Sequence, residues 1–229
     1  MKYLPLFTDI KDKAVLIVGG GAIALRKARL VVDAGANVTI VSLQFIDELT
    51  SMDDNGEIKL ITGKFCADYL DKQILVIAAT EDTQVNQNVS QAANDRHILV
   101  NVVDDPQKSS FIFPAIVDRS PIMVAVSSGG AAPVLVRRLR EKLETLLPQH
   151  LGALADLVGR FRGKAKQVLG TINLRRQFWE HILSGPVVSL LSQKKQQQAE
   201  NLLSEQLASF SNTSANGNTK SNPLTRGEV

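Results

Sequence analysis

Gly19-Gly20-Gly21-Ala22-Ile23-Ala24 is the stretch whose residue types and spacing bear most directly on chemistry. It fits G-x-G-x-x-A, with Gly19, Gly21 and Ala24 at the three defined positions. In that pattern the first glycine permits a tight turn, the second lets backbone N–H groups approach a pyrophosphate, and the small third residue lets a helix pack on a strand. A helix starting there turns its positive dipole end toward the phosphates. The bland alternative is a tight turn in some other α/β protein. The acidic residue that often holds the ribose 2′-OH about 20 residues later is missing. Val41-Ser42-Leu43-Gln44 stands in its place, and Ser42 or Gln44 can bond a ribose instead. NAD therefore fits, and this loop alone does not exclude NADP.

A second candidate is Asp104-Asp105, after the apolar run Ile98 to Val103. A carboxylate at a strand's carboxyl end can accept a proton as hydride leaves a substrate, or can meet a metal cation. Asp-Asp-Pro also reads as a plain turn. Ser127-Ser128-Gly129-Gly130 reads either as an anion-binding nest or as a helix start. Arg137, Arg138, Arg140 and Lys142 form the densest basic group, interleaved with Glu141 and Glu144; a solvated helix face or a polyanionic small molecule would each account for it. His97, His150 and His181 show no metal-ligand spacing.

These residues need elements to hold them. Ala14–Val18, Val38–Val41, Ile58–Thr62, Ile74–Ala79 and Ile98–Val103 read as strands. Helical patterns follow the glycine turn and cover Thr83–Asp95. Such alternation predicts an open parallel sheet with ligands beyond the carboxyl ends of its strands. That places the glycine turn, Thr80 and the Asn101–Asp105 segment around one crevice. Phe111–Val117 and Ile122–Val126 are strand-like, Pro133 opens a helix running to Pro148, and Gln149 to about Phe210 is helical. Residues 211–224 are Ser/Asn/Gly-rich and read as a linker.

The 229 residues are 44% hydrophobic with net charge +3. The mean hydropathy is +0.01 and the pI is about 9.0. No apolar run approaches a membrane span, and the N-terminus does not read as a secretion signal. Aromatic content of 5% is too low for a base-stacking surface. Cys66 is the only cysteine, so no thiolate cluster is expected. The expectation is a cytoplasmic protein that binds neither nucleic acid nor membrane.

YLPLF at Tyr3–Phe7, LIVGGGAIALRKARLV at Leu16–Val31, IAATEDTQVNQNVS at Ile77–Ser90 and the long stretch Asn101–Gly152 together resemble the N-terminal module of the siroheme synthases. The resemblance covers nearly the whole chain. It implies an α/β protein: a Rossmann-type parallel-sheet NAD-binding domain (1–113), a small α+β dimerisation region (114–147), a helical domain (148–210) and a flexible linker (211–229). It implies a homodimer with two activities in one site. Precorrin-2 would lose a hydride to NAD+ and a proton, giving sirohydrochlorin. Sirohydrochlorin would then exchange two pyrrole protons for Fe2+, giving siroheme.

By that resemblance the catalytic residue is Asp104. The cofactor residues are Gly19, Gly21, Ala22, Ile23, Leu43, Gln44 and Thr80. Ser128 falls on a serine that carries a phosphate in the family. Arg119, Arg137, Arg138 and Arg140 become candidates for the substrate's eight carboxylates. No fixed metal site is implied; Fe2+ is a substrate, with Asp104 as its transient contact. The family's longer members continue through such a linker into a methyltransferase domain, so the chain is expected to be a piece of a larger enzyme. Two narrower readings stand beside the bifunctional one: a dehydrogenase served by a separate chelatase, and an NAD-responsive regulator without turnover.

Overall fold

The computed structural model describes residues 2–217, with side chains described as far as residue 211. Its chain divides into two units: one holds residues 1–114 and 127–133, the other 115–126 and the chain from 134 onward.

The first unit is built on five strands: β1 (Ala14–Val18), β2 (Asn37–Ser42), β3 (Lys59–Thr62), β4 (Leu75–Ala78) and β5 (Leu99–Val102). They pair in the order β3-β2-β1-β4-β5, every pair parallel. The helices are α1 (Ala22–Asp33), α2 (Asp47–Asp54) and α3 (Thr83–Asp95), with a single 3₁₀ turn at Ala67–Leu70. β1 alternates cleanly. Val15 and Ile17 join the core under α1 and α2, while Leu16 and Val18 join the core under α3. Both faces are covered, which is why the central strands β1 and β4 read as unbroken apolar runs.

The register fixes where the site must lie. Val18 pairs with Val41 on one side and Ala78 on the other, and Ala78 pairs with Val102. Four strands thus end at one edge of the sheet. The strand order reverses between β1 and β4, where ligands of open parallel sheets bind. Gly19 follows β1, Ala79-Thr80 follows β4, and Val103-Asp104 follows β5.

Two details depart from the sequence reading. No strand starts at Phe111. Ser110 Oγ accepts from Val100 N at 2.8 Å and Ser109 Oγ accepts from Val102 N at 2.9 Å, so side chains cover the β5 edge in place of a ladder. Phe111 and Phe113 instead pack edge to face, 5.1 Å between centroids, against the first core. The helix α2 was not anticipated; only Leu49 and Met52 of it are buried, too little pattern to announce it.

The second unit pairs β6 (Ala115–Arg119) with β7 (Ile122–Val126) in an antiparallel hairpin. α4 (Pro133–Leu146) follows, then α5 (His150–Val168), α6 (Ile172–Ser184), α7 (Pro186–Ser192) and α8 (Gln196–Gly217). Leu157, Phe178, Ile182, Val187 and Leu203, all 0% exposed, lie in the core of the last four helices. Gly152 of α5 lies so close to the Ser120 carbonyl that a side chain there would collide with it. α4 buries none of its residues: Val134, Leu135, Leu139 and Leu146 are all exposed. The helix α8 continues into the segment read as a linker, and residues 218–229 of that segment lie outside the described residues.

Candidate active site

The glycine turn uses its three glycines for three different reasons. Gly19 has φ +127°, and a Cβ there would collide with the Ala79 carbonyl, so β1 and β4 meet through it. Gly20 was not assigned a role from the pattern, yet its Cβ would collide with the Gln44 carbonyl. Ile46 N donates to Gly20 O at 3.0 Å from the same loop. Gly21 differs: nothing lies within 4 Å of a Cβ built on it. It is the N-cap of α1 and offers no side-chain oxygen to the first-turn amides. Those amides therefore face open space, a cradle that a phosphate fits and a side chain would fill. Ala24, fully buried, is the small residue that lets α1 lie on the sheet.

Ala22 and Ile23 line a cleft of about 420 Å³ together with Arg26, Val103 and Asp104. The structure thus brings the glycine turn and the predicted carboxylate to one cavity. Asp104 sits at φ +61°, a left-handed conformation that aspartate tolerates better than most residues. Its neighbour Asp105 has a different task. Asp105 Oδ1 accepts from Gln107 N, Oδ2 pairs with Lys108 at 2.9 Å, and this contact holds its carboxyl below the ordinary range. Asp105 closes the turn, while Asp104 faces the cleft.

Arg26 and Lys27 were not predicted. The helical step from Ile23 (i+3 and i+4) is the signal that points to them. Lys27 Nζ lies 3.8 Å from the Phe113 ring centroid. Burial first, then the Arg26 charge, lowers its pKa from 10.5 to about 8, with Asp104 pulling the other way. The Asp104 charge thus acts on the ammonium, although the two form no ion pair among the described residues.

Thr80 is held in a polar knot. Its Oγ1 donates toward Asn86 Oδ1 at 2.7 Å, and Asn86 Nδ2 donates to Thr80 O at 2.9 Å. Buried Asn86, also unanticipated, fixes the loop beside Gly19. Leu43 and Gln44 are exposed at the end of β2, where an adenosine would lie. Ser128 Oγ accepts from Ala132 N at 2.9 Å, and Gly129 and Gly130 follow at φ +64° and +88°. Gly129 packs on Tyr3, which ties this turn to the first unit.

The arginines separate. Arg119 is 7% exposed. It donates to Leu147 O, Asp118 O and Glu144 O, and pairs with Glu144 at 2.7 Å. Its fork binds the end of α4, so it is not free for substrate and leaves the candidate set. Arg140 likewise donates to Ile116 O and Glu144. Arg137 and Arg138 remain exposed, Arg137 with only a loose 3.8 Å contact to Glu141.

Three family models match in sequence: putative NAD(P)-binding over 6–115, sirohaem biosynthesis protein central over 119–146, and sirohaem synthase dimerisation region over 150–207. The siroheme synthase of Tolumonas auensis is 56% identical over 208 residues, 90% of this chain and 44% of that protein. The chain belongs to the N-terminal module of the siroheme synthase family. The siroheme synthase of Escherichia coli O157:H7 is 54% identical over 182 residues, 80% of this chain and 40% of that protein. The chain thus spans less than half the length of these relatives. A solved precorrin-2 dehydrogenase shares its fold, with TM-score 0.71 and 24% identity over 89% of this chain and all of that one. The module's NAD(P)-binding portion ends just beyond Asp104 and so contains the whole cleft. Among the described residues no helix is long and apolar enough to cross a membrane.

Proposed function

We propose that this chain oxidises precorrin-2 to sirohydrochlorin with NAD+, and that the same cleft then exchanges two pyrrole protons for Fe2+. The observation that carries the reading is the single cleft joining the open Gly21 cradle, through Ala22 and Ile23, to Asp104. NAD+, when bound, supplies a hydride acceptor. The first-turn amides of α1 hold its pyrophosphate, Leu43 and Gln44 flank the adenosine, and Thr80 borders the loop beside Gly19. Gly19 itself brings β1 close enough to β4 for these groups to share one edge.

Asp104 takes the proton that the macrocycle releases as a hydride leaves one of its carbons for NAD+; the products are sirohydrochlorin, NADH and a proton passed to solvent. The chelation step releases two pyrrole N–H protons as Fe2+ enters, and one carboxylate beside the macrocycle can receive them in turn. Iron is a substrate here and needs no permanent ligand set. Arg137 and Arg138, whose guanidinium groups remain exposed, are suited to the substrate's carboxylates. Phosphate on Ser128 would add negative charge beside an anionic substrate and so inhibit.

The exposed apolar residues of α4 support a homodimer, because a stripe of this kind is normally covered. A cytoplasmic location belongs to the same reading.

An anaerobic assay with precorrin-2, NAD+ and then Fe2+ tests it. The expected result is NADH formation with a sirohydrochlorin spectrum, then conversion to siroheme above the protein-free rate. NADH without accelerated iron insertion removes the second activity. No NADH from folded, NAD-bound protein removes the first.

A further inference from the structure

The helical part of the second unit carries a pocket that the proposed chemistry does not use. It measures about 390 Å³ and is lined by Arg162 and Lys166 of α5 and by Ile172, Arg175, Arg176 and Trp179 of α6. Helical spacing builds it from both sides. Arg162 and Lys166 are one turn apart, as are Ile172 and Arg176, and Trp179 follows on the next turn.

Two of the lining residues are held in place. Arg175 Nη1 donates to Leu169 O at 2.8 Å, which ties its guanidinium across the α5–α6 turn. The Trp179 indole packs at 4.9 Å on Phe178, a residue with no exposed surface. A fixed aromatic and a fixed guanidinium reduce what a ligand would lose in ordering its partners.

The charge is unbalanced. Arg176 pairs with Glu180 at 2.8 Å. Arg162 and Lys166 carry no hydrogen bond or ion pair among the described residues. The nearby Arg160, by contrast, has Glu200 at 3.0 Å. Four cations thus face one carboxylate around a cavity at the lower end of small-molecule pocket sizes. Ile172, 79% exposed, and Trp179 add an apolar, partly aromatic wall.

We propose that this pocket is a second ligand site, for a flat conjugated ring carrying two or more anionic groups. The ring would rest on Trp179 and Ile172, with its anionic groups between the α5 and α6 cations. Carboxylates and phosphates share this chemistry. The site stands on its own residues and does not depend on the reading given above for Asp104.

Trp179 is the only tryptophan in the chain, so its emission reports this pocket. The full chain is titrated with benzene hexacarboxylate, ADP and inorganic pyrophosphate, with excitation at the indole. The same titrations are run on Gly21→Val, which removes binding at the glycine turn. At least one ringed probe is expected to change the emission saturably in both proteins, and at least tenfold more tightly than pyrophosphate. Arg162→Ala/Lys166→Ala is expected to weaken it tenfold or more. Lys166→Ala alone, expected to weaken it about threefold, replaces that variant should it lose its helical circular dichroism. Tighter binding of the hexacarboxylate identifies a carboxylated ring as the ligand, and tighter binding of ADP a nucleotide. The proposal is overturned if neither ringed probe moves the emission, as when a second copy covers the pocket. An undiminished response in the variants, or pyrophosphate binding as tightly as the ringed probes, overturns it equally. Precorrin-2 turnover is scored separately, so a failed pocket and a failed dehydrogenase are distinct results.

Discussion

Replacing Lys27 by methionine should make the protein more stable near pH 7 and less active, and the stability gain should disappear in alkali. The ammonium lies over the Phe113 ring, partly buried, and its pKa falls from 10.5 to about 8 because burial and the Arg26 charge disfavour its charged form. Between about pH 8 and 10.5 the unfolded chain holds a proton that the folded chain has released. Stability attributable to Lys27 therefore rises with pH across that window, and below pH 8 the full cost of the charge is present. A shift of this size corresponds to roughly 3.4 kcal/mol without screening. The group is partly open to solvent, so about 1–2 kcal/mol is a sounder figure. Methionine keeps the chain length and loses the cation–π contact, worth about 0.5–1 kcal/mol. The net expectation is Lys27→Met more stable than the parent by about 0.5–1 kcal/mol at pH 7. Above the ordinary lysine pKa the parent carries a neutral amine, and the advantage should close. Urea denaturation of both proteins from pH 6.5 to 10.5 measures this, and a side-chain NMR titration of Lys27 should centre near pH 8. A stability difference that stays flat with pH, or a midpoint near 10.5, would refute the reasoning.

Four further outcomes are expected. Asp104→Asn should cut precorrin-2 oxidation by about 10²-fold or more while melting within a few degrees of the parent, because asparagine also tolerates the left-handed backbone at φ +61°; parent-like turnover would remove its role. Gly21→Val should fold but lose NAD binding by calorimetry, whereas Gly20→Ala, forced against the Gln44 carbonyl, should lose about 1–3 kcal/mol of stability in urea melts. Arg119→Met should lose about 1–3 kcal/mol, since it removes the buried hydrogen bonds to Leu147 O, Asp118 O and Glu144 O while Glu144 keeps Arg140, and in a purified folded fraction its KM for precorrin-2 should not change. Leu135→Glu/Leu139→Glu should give a monomer by sedimentation at concentrations where the parent is a dimer.

The parallel sheet was legible because its strands are buried on both faces and flanked by glycine and helix signals. Asp104 was legible as a strand-end residue, though the strand order that places it across from α1 was not. What the sequence hid depends on contacts distant along the chain. Arg119 reads like any exposed arginine, and its partners Glu144 and Leu147 lie 25 and 28 residues away. Gly20 occupies a position that the motif leaves free, and only the Gln44 loop shows why no side chain fits. Lys27 carries no signal in the sequence, because the Phe113 ring beside it comes from far along the chain.

Two locally costly features meet beside this cleft: a non-glycine residue at φ +61° and a partly buried lysine whose charge is disfavoured, its pKa lowered to about 8. The other left-handed non-glycine residues among those described (Asp12, Lys72, His97 and Lys194) do not line this cleft. Neither feature is needed to build the sheet, because asparagine or glycine would relieve the first and methionine the second. Their shared location links them. The left-handed turn brings Asp104 to the cleft lined by Ala22, Ile23 and Arg26 of α1, and the Asp104 charge acts on the Lys27 ammonium one residue further along that helix. A base that must receive a proton as hydride departs has to be ionised beforehand. The pair therefore separates a catalytic reading of Asp104 from a turn reading by a cheap criterion. If Asp104 only closes a turn, Lys27→Met stabilises the protein and leaves kcat unmoved. If Asp104 is the base, Lys27→Met lowers kcat for precorrin-2 oxidation and Lys27→Arg restores it.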